Sequence, residues 1–379
     1  MKKVIVIPDS FKGTLSASKV CDIISERIET HFPECQIIAI PIADGGEGSI
    51  QCFLRTMGGR IINARCSDPF FQPMTGQYGI LDNGSAVIEM AVCSGLPLVE
   101  NKKNPMLTTT YGVGELMLDA LKHGCSKLIV CLGGSCTNDC GCGMASALGV
   151  KFFDKFRNVF IPTGGTLKNV YHIDSEELNP ILKEIPISVM CDINNPLYGT
   201  NGAAYIFAPQ KGANDEQCKL LDEGLKHISD IIKQDLGIDI SKLPGGGAAG
   251  GMGAGISAFL NAELKMGIEV LLDAIKFNDL LKGADMVFTG EGRMDSQSLG
   301  GKAVIGVAYR AKKQNVPVIV LTGGIQGDIA KAYNLGVSAV FSINRLPEDL
   351  SISKNKSPQN LSNTIDDILR LIKLMEKNN

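Results

Sequence analysis

Three polar, glycine-bearing segments in the terminal parts of the chain each follow a short apolar run, and they begin at Pro8, Ala43 and Thr289. Ligands bind at the carboxyl ends of the strands in an open parallel sheet, so the three segments are expected to line one cleft. Carboxylates beside Lys and Arg suit Mg²⁺ binding and the recognition of an anion. A loop without function is an alternative for any one segment, but the coincidence of three favours a site. The side chains concerned are Asp9, Lys12, Asp44, Glu291, Arg293 and Asp295.

A fourth glycine-rich segment, residues 133–143, follows a predicted strand at 127–132. Glycine lets backbone N–H groups approach an anion, and a predicted helix at 144–148 would add the positive end of its dipole. The sequence contains no GxxxxGK[ST] motif, which excludes a P-loop NTPase. The side chains that would add donors are Ser135, Thr137 and Asn138.

Two further segments each have a functional and a structural interpretation. Asp192 comes directly after a predicted strand at 187–191, where an acid could bind a metal or act as a base. An Asx-type turn before Pro196 is the structural alternative. The glycine-rich run 244–255 has GxGxxG spacing but no predicted strand before it, so it fails the test for a dinucleotide-binding fingerprint. A loop that covers a nucleotide and a domain hinge both stay open.

The polar residues beside glycine form the set that phosphoryl transfer requires. That reaction needs a metal to neutralise charge, cations and backbone donors on the phosphates, and a carboxylate to accept a hydroxyl proton. The four histidines do not pair at metal-binding spacing, and the HExxH and GxSxG motifs are absent. The residues alone therefore indicate a Mg²⁺-dependent transfer to a small anion.

The elements that must position these residues alternate between strand and helix. Short apolar runs bounded by Gly, Pro or Asp are typical of buried parallel strands. The series predicts an α/β fold, a flavodoxin-like doubly wound parallel sheet with a second α/β domain inserted. We expect the flavodoxin-like domain at 1–60 and 262–379 and the inserted domain at 61–261, with antiparallel strands between about 61 and 91. The predicted outer strands are 4–7, 37–40, 286–288, 318–321 and 339–343, and the predicted helices are 16–32, 269–282, 302–315 and 362–377.

Charge and hydropathy exclude several classes of protein. The 379 residues carry a net charge of −3, and no basic patch points to nucleic acid. No run of about 20 apolar residues could span a bilayer. The N-terminal apolar run is too short for a signal peptide, so we expect a cytoplasmic protein without a membrane partner.

The twelve cysteines are scattered through the chain, which argues against a disulfide framework. The dense cluster comprises Cys131, Cys136, Cys140 and Cys142, and its spacing matches neither a CxxC pair nor a zinc ribbon. We therefore interpret these cysteines as small buried residues, with a metal centre as the weaker alternative.

Eight motifs in order resemble the bacterial glycerate kinase family, type 1, of the glyoxylate and glucarate/galactarate pathways. The resemblance covers residues 4 to about 345 and implies ATP and Mg²⁺ as cosubstrates and D-glycerate as the acceptor. It favours 2-phosphoglycerate over 3-phosphoglycerate as the product. The chain departs from the family pattern at Cys136, Cys140 and Cys142, where Ala or Gly is usual, and at Gly300, where a bulkier residue is common. The motifs are 8–12, 43–48, 107–112, 133–139, 191–197, 209–212, 246–255 and 289–295.

The resemblance, together with the strand-end positions, leads to a set of expected roles. Glycerate would lie between the domains with its carboxylate on Arg293 and Lys12, and Asp44 or Asp192 would accept the hydroxyl proton. Glu291 and Asp192 would bind the metal. Further contacts to glycerate are expected from Asp9, Ser10 and Asp295. Contacts to ATP are expected from Gly134, Ser135, Thr137, Asn138, Asp139, Lys211, Gly250 and Gly251.

Two other functions stay open at this stage. A non-catalytic sensor of a nucleotide or sugar acid would need the fold but not the acids. A kinase for another small hydroxy acid or sugar would keep the acids and change the acceptor. The sequence leaves the oligomeric state open, including a homo-oligomer.

Overall fold

The computed structural model describes residues 1–42, 48–295, 298, 302–346 and 348–377. The chain forms two compact units, an outer unit of Met1–Asp44 with Gly267–Asn379 and an inserted unit of Gly45–Met266. The strands are β1 Lys3–Val6, β2 Gln36–Ala39, β3 Arg60–Ser67, β4 Pro73–Ile80, β5 Ser85–Glu89, β6 Lys127–Cys131, β7 Lys151–Phe153, β8 Val159–Phe160, β9 His172–Asp174, β10 Ile187–Met190, β11 Glu263–Lys265, β12 Met286–Glu291, β13 Val318–Thr322 and β14 Ala339–Ser342. The α-helices are α1 Ala17–His31, α2 Ser49–Met57, α3 Ala91–Ser94, α4 Tyr111–Lys122, α5 Cys142–Ala147, α6 Ala203–Phe207, α7 Asp215–Leu236, α8 Ala248–Leu260, α9 Gly267–Ala274, α10 Phe277–Leu280, α11 Ala303–Lys312, α12 Ala330–Asn334 and α13 Leu350–Lys377.

The outer unit is built on a five-stranded sheet in the order β2-β1-β12-β13-β14, and all of its described strand pairs are parallel. Numbered within the unit, this order is 2-1-3-4-5, the order of the flavodoxin-like doubly wound fold. The predicted fold class is therefore confirmed. Val4 and Val6 are fully buried because helices cover both faces of a parallel sheet.

One predicted helix of the outer unit is wrong in its extent. The pattern predicts a single helix at 269–282, but the structure has α9 and α10 separated by Ile275 and Lys276. Lys276 has a φ of 53°, which lies in the left-handed region and ends the right-handed helix there.

The C-terminal helix α13 covers the sheet of the outer unit. It begins at Leu350, earlier than the predicted start at 362, and Pro358 lies inside it. Ile365 and Leu369 are fully buried and pack in one cluster with Ile24 of α1. The two helices are also joined by Asp366, which accepts hydrogen bonds from Arg27 Nε at 2.8 Å and from His31 Nε2 at 2.9 Å.

The inserted unit is built on a six-stranded mixed sheet in the order β11-β10-β6-β5-β4-β3. The four strands from β11 to β5 are parallel, and β4 pairs antiparallel with β5 and β3. The antiparallel part is the one predicted between about 61 and 91. A small antiparallel sheet, β8-β7-β9, adds Phe152 to the hydrophobic core of the inserted unit.

The two units divide the chain at 44/45 and 266/267, whereas the sequence placed the domain boundaries at 60/61 and 261/262. Local contacts account for both differences. Helix α2 packs on β4 and β5, and Ile50 N at its first turn donates to Glu89 Oε1 at 2.7 Å. Strand β11 pairs in parallel with β10.

Among the described residues, no helix combines the length and apolar character that crossing a bilayer requires.

Ile365→Ala should lower the free energy of unfolding by about 2–5 kcal/mol, because it leaves a cavity between α13 and α1. Leu374→Ala on the same helix is the matched control, since the side chain of Leu374 is 60% exposed and its truncation should change stability by less than about 0.5 kcal/mol. Urea unfolding of both variants measures the difference. Equal losses of stability in the two variants would contradict the packing of α13 on α1.

Candidate functional site

The loops that follow β1 and β12 lie side by side at the carboxyl edge of the outer sheet. Asp9 N donates to Gly290 O at 2.8 Å, and Thr289 Oγ1 donates to Ile7 O at 2.7 Å. At Gly292 a Cβ would lie 3.0 Å from Lys12 N. Glycine is therefore needed for the two loops to approach this closely.

Glu291, the last residue of β12, carries the most perturbed carboxyl group of this edge. Its Oε1 is buried and has no hydrogen-bond partner among the described residues. Burial raises the pKa of Glu291 to about 7, and the negative charges of Asp9 and Asp295 also raise it. A hydrogen bond from Ser298 and the charge of Lys302 act in the opposite direction. Such a carboxylate has an oxygen directed at none of the described donors and therefore suits a cation.

Arg293 and Asp295 extend the same loop. Arg293 Nε lies 3.7 Å from Asp295 Oδ2, and the arginine side chain is 66% exposed. Asp295 Oδ1 accepts from Ser298 N at 3.3 Å, and Asp9 Oδ1 accepts from Ser10 N at 2.6 Å. The structure thus brings the predicted residues of the first and third loops to one edge of the outer sheet. Asp44 lies outside the described residues.

Asp139, in the loop after β6, is a fully buried carboxylate with four described donors. Its Oδ2 accepts from Thr110 N at 2.7 Å and Thr110 Oγ1 at 2.8 Å. Gly143 N at 3.3 Å and Gly141 N at 3.2 Å complete the set. Burial raises the pKa of Asp139, while these hydrogen bonds favour the charged form. The carboxylate therefore fastens the loop to the start of α4.

The helix predicted at 144–148 as a dipole for anions is the short α5, which has only six residues. The N–H groups of Gly141 and Gly143 at its start donate to Asp139. These donors therefore hold a protein carboxylate, although the sequence pattern predicted them as contacts to a ligand.

Lys211 lies against the same loop and is buried, with 2% of its surface exposed. Its Nζ donates to Ser135 Oγ at 2.8 Å and to Thr137 O at 2.7 Å. Burial lowers the pKa of Lys211 to about 8, although the nearby Cys136 and Asp139 act to raise it. Lys211 therefore contacts the loop from the protein interior and is not exposed to solvent.

The exposure of the loop changes sharply along its length. Gly134 is exposed, whereas Ser135 is 6% exposed and Thr137 and Asn138 are fully buried. Thr137 Oγ1 and both side-chain polar atoms of Asn138 are buried without a described hydrogen-bond partner. A ligand in solution can therefore reach the turn at Gly134, while the residues predicted beside it lie in the interior.

Gly250 and Gly251 lie in α8 with left-handed φ values of 68° and 91°. At Gly250 a Cβ would lie 1.9 Å from Thr137 O, and Gly250 O accepts from Cys140 N at 3.1 Å. The glycine run is therefore where α8 packs on the backbone of the loop. The sequence pattern indicates a covering loop or a hinge here, and the structure adds this packing contact.

Asp192 follows β10 at the carboxyl edge of the inserted sheet, one strand away from the loop after β6. It is partly exposed, and its charge together with that of Glu89 contributes to the raised pKa of Cys131, for which burial is the main cause. The sequence interpretation missed Glu89, which is 6% exposed. The signal that could have identified it is an acid ending the apolar strand β5.

The clustered cysteines are buried thiols. Cys140 and Cys142 are fully buried, and burial raises the pKa of Cys136 to about 12 and raises those of Cys140 and Cys142 as well. The neutral thiol is therefore the form present near pH 7. Within the described part of the chain, no group of three or more His, Cys, Asp or Glu could hold a metal ion.

Comparison with known proteins agrees with an α/β phosphotransferase. The chain is 44% identical over 374 residues to a glycerate kinase of Bacillus cereus, with 98% of each chain covered. It is 44% identical over 343 residues to a glycerate 2-kinase of Escherichia coli, with 90% of each covered. The fold is similar to the crystal structure of a protein assigned as glycerate kinase 2 from Salmonella typhimurium, with a TM-score of 0.88, 38% identity and 99% of each chain covered.

These relatives place the chain among the kinases, enzymes that transfer a phosphoryl group from ATP. The model of the glycerate kinase family matches residues 4–373. The chain therefore belongs to the glycerate kinase family, as its motifs suggested.

Gly250→Ala should destabilise the protein about 2 kcal/mol more than Gly237→Ala, because only the first substitution places a methyl group against backbone. Both glycines have a left-handed φ, 68° and 73°, so the conformational cost for alanine is shared. A Cβ at Gly237 meets nothing within 4 Å. Urea unfolding compares the two variants, and equal losses would contradict the close contact between α8 and the loop.

Proposed function

We propose that this protein transfers the γ-phosphoryl group of ATP to D-glycerate in a Mg²⁺-dependent reaction. The family match supports the acceptor, because relatives similar over nearly the whole chain are named glycerate kinases. The geometric observation that carries the proposal is Glu291, a half-buried residue whose Oε1 is buried without a described partner. A coupled assay for ADP release with D-glycerate tests it directly. No release would favour a non-catalytic sensor, and release with other acceptors alone would favour a different hydroxy-acid or sugar kinase.

We propose that the outer unit binds glycerate. Arg293 is 66% exposed and presents a planar set of donors that matches a carboxylate. Lys12, Asp9, Ser10 and Asp295 lie in the two adjacent loops and would contact the hydroxyl groups and carboxylate of the substrate. Water must be excluded during transfer, since it competes for the phosphoryl group. The interdomain cleft expected from the sequence stays a prediction.

The carboxylates of the outer unit fit Mg²⁺. This ion binds proteins through one or two carboxylates plus substrate phosphates, so a dense cluster of protein ligands is not required. Glu291 of the outer unit offers one buried oxygen without a described partner. Asp192, which belongs to the inserted unit, stays a ligand predicted from the sequence. When bound, Mg²⁺ neutralises negative charge on the β- and γ-phosphates. Asp192 and Asp44 stay the candidate acceptors of the hydroxyl proton.

We propose that the inserted unit binds ATP at the exposed turn of Gly134, with Ser135 beside it. In this assignment Asp139 holds the loop through its four described hydrogen bonds. Thr137 and Asn138 lie behind the binding turn, because both are fully buried. Gly250 and Gly251 act by supporting the same backbone from α8.

We propose the 2-hydroxyl group of glycerate as the acceptor. The Escherichia coli relative is named a glycerate 2-kinase. Phosphorus NMR of the product distinguishes 2-phosphoglycerate from 3-phosphoglycerate. The cytoplasmic location and a homo-oligomer stay predictions of the sequence.

Arg293→Ala should raise KM for glycerate about tenfold to a hundredfold, since it removes charge-assisted hydrogen bonds to the carboxylate. KM for ATP should stay nearly constant. Arg370→Ala is the matched control, because the side chain of Arg370 in the outer unit is 65% exposed. Steady-state kinetics with each substrate varied measures both constants. A collapse in ATP affinity instead would assign Arg293 to the nucleotide.

The Mg²⁺ activation constant of the wild type should rise about tenfold per pH unit below pH 7, because metal and proton compete for Glu291. The direction follows from its pKa, which burial raises to about 7 and which leaves the carboxyl group protonated in acid. Glu291→Gln should raise the constant at pH 8 and remove this dependence on pH. Glu29→Gln, on the exposed face of α1, should behave like the wild type. An unchanged activation constant in Glu291→Gln would exclude Glu291 as a ligand.

A further inference from the structure

Lys211 is a charged residue hidden at the end of a short 3₁₀ helix, Pro209–Lys211. Only 2% of its surface is exposed. The turn that follows is tight, since Gly212 has a φ of 98° and a Cβ there would lie 2.6 Å from Cβ of Lys103. The Lys211 side chain is directed inward, where its Nζ reaches Ser135 and Thr137.

The described hydrogen-bond partners of Lys211 are neutral oxygens, Ser135 Oγ at 2.8 Å and Thr137 O at 2.7 Å. Two titratable groups of the same loop face it, Cys136 and Asp139. Cys136 is a neutral thiol near pH 7, and the Asp139 carboxylate already accepts four described hydrogen bonds. On the other side, the backbone of the exposed Lys103 packs against Gly212.

A buried ammonium group with neutral partners is costly, because burial removes its hydration shell. A simple apolar residue would fill the space without this cost. The cost is compensated by a function of the ammonium group, which fixes the positions of Ser135 and Thr137. Ser135 is adjacent in sequence to the exposed Gly134, and charge acts over longer distances where water is excluded.

We propose that Lys211 is a positioning residue for ATP, which holds segment 135–137 in its binding shape and supplies positive potential to the phosphates without touching them. This inference rests on the proposed placement of ATP at the Gly134 turn. It changes the expected role of Lys211 from a contact to the ligand into an indirect one.

A consequence concerns pH. The pKa of Lys211 lies at about 8, so the ammonium charge is lost in the alkaline range where an exposed lysine keeps it. The affinity for ATP should then fall as the pH rises through about 8. The affinity for glycerate should not depend on the protonation of Lys211.

Lys211→Met removes the charge and keeps an unbranched side chain. At pH 7 we expect KM for ATP to rise about tenfold, which corresponds to about 1.4 kcal/mol. The turnover number should change less than about threefold and KM for glycerate should stay constant, since the lysine acts on nucleotide binding alone. Lys168→Met is the matched control, because Lys168 in the same unit is 43% exposed and pairs with Glu223. A KM for ATP within about twofold of the wild type would overturn the proposal.

The pH profile separates an electrostatic role from a purely structural one. Between pH 7 and 9.5 the KM of the wild type for ATP should rise towards that of Lys211→Met, while the variant should show no such rise. Stability gives an independent reading, because a lysine with a lowered folded-state pKa binds fewer protons than in the unfolded chain. The wild type should therefore gain stability relative to Lys211→Met between about pH 8 and 10.5. If KM for ATP and stability both change with pH in the same way in the wild type and in Lys211→Met, the proposal is overturned.

Two further variants keep the test decisive. If Lys211→Met does not fold, Ser135→Ala retains the ammonium and removes one of its acceptors, and KM for ATP should rise about threefold. No change there would overturn the proposal. Gly134→Ala alters the exposed turn itself and should raise KM for ATP. If Gly134→Ala changes KM and Lys211→Met does not, the positioning role fails alone, and if neither does, the placement of ATP fails with it.

Discussion

The outer unit depends on the parallel pairing of β1 with β12. These strands are far apart in the chain, and Thr289 Oγ1 donates to Ile7 O across 282 positions of sequence. Because the register pairs Val6 with Phe288, both strands end at the same edge, and Asp9 and Glu291 follow at the same level. A shift of this register would separate the two acids. The chemistry of the outer unit is therefore a direct result of strand pairing.

Three of the charged side chains in the described part of the chain differ in how their charge is compensated away from water. Asp139 is surrounded by four described donors, so its charge is compensated and serves to fasten backbone segments. Lys211 is only partly compensated by two neutral oxygens. Glu291 has a buried oxygen without a described partner beside other carboxylates. Incomplete compensation leaves Lys211 and Glu291 with pKa values near neutrality, which is typical of functional groups.

Short apolar runs were enough to predict the five outer strands. The alternation of these strands with helices indicated the flavodoxin-like order. The strand-end positions also predicted that the first and third outer loops lie together, whereas Asp44 of the second loop lies outside the described residues. The sequence could not predict the partners of Asp139, since Thr110 is distant in sequence and its donors are directed by the fold. Lys276 carries no signal for a left-handed φ, and Pro358 hides the early start of α13. The burial of Thr137 and Asn138 was equally hidden, because polar residues beside glycine are typical of exposed loops as well.

All twelve cysteines are free thiols, and all except Cys35 are buried. Their reactivity is suppressed in the native state, since oxidation and thiol exchange require an accessible thiolate. Unfolding removes this protection from the eleven buried thiols at once. Random disulfides can then form in the unfolded chain, and each one opposes refolding, so oxidising conditions favour irreversible heat inactivation. The lifetime of the protein outside a reducing environment is therefore set by its rate of unfolding.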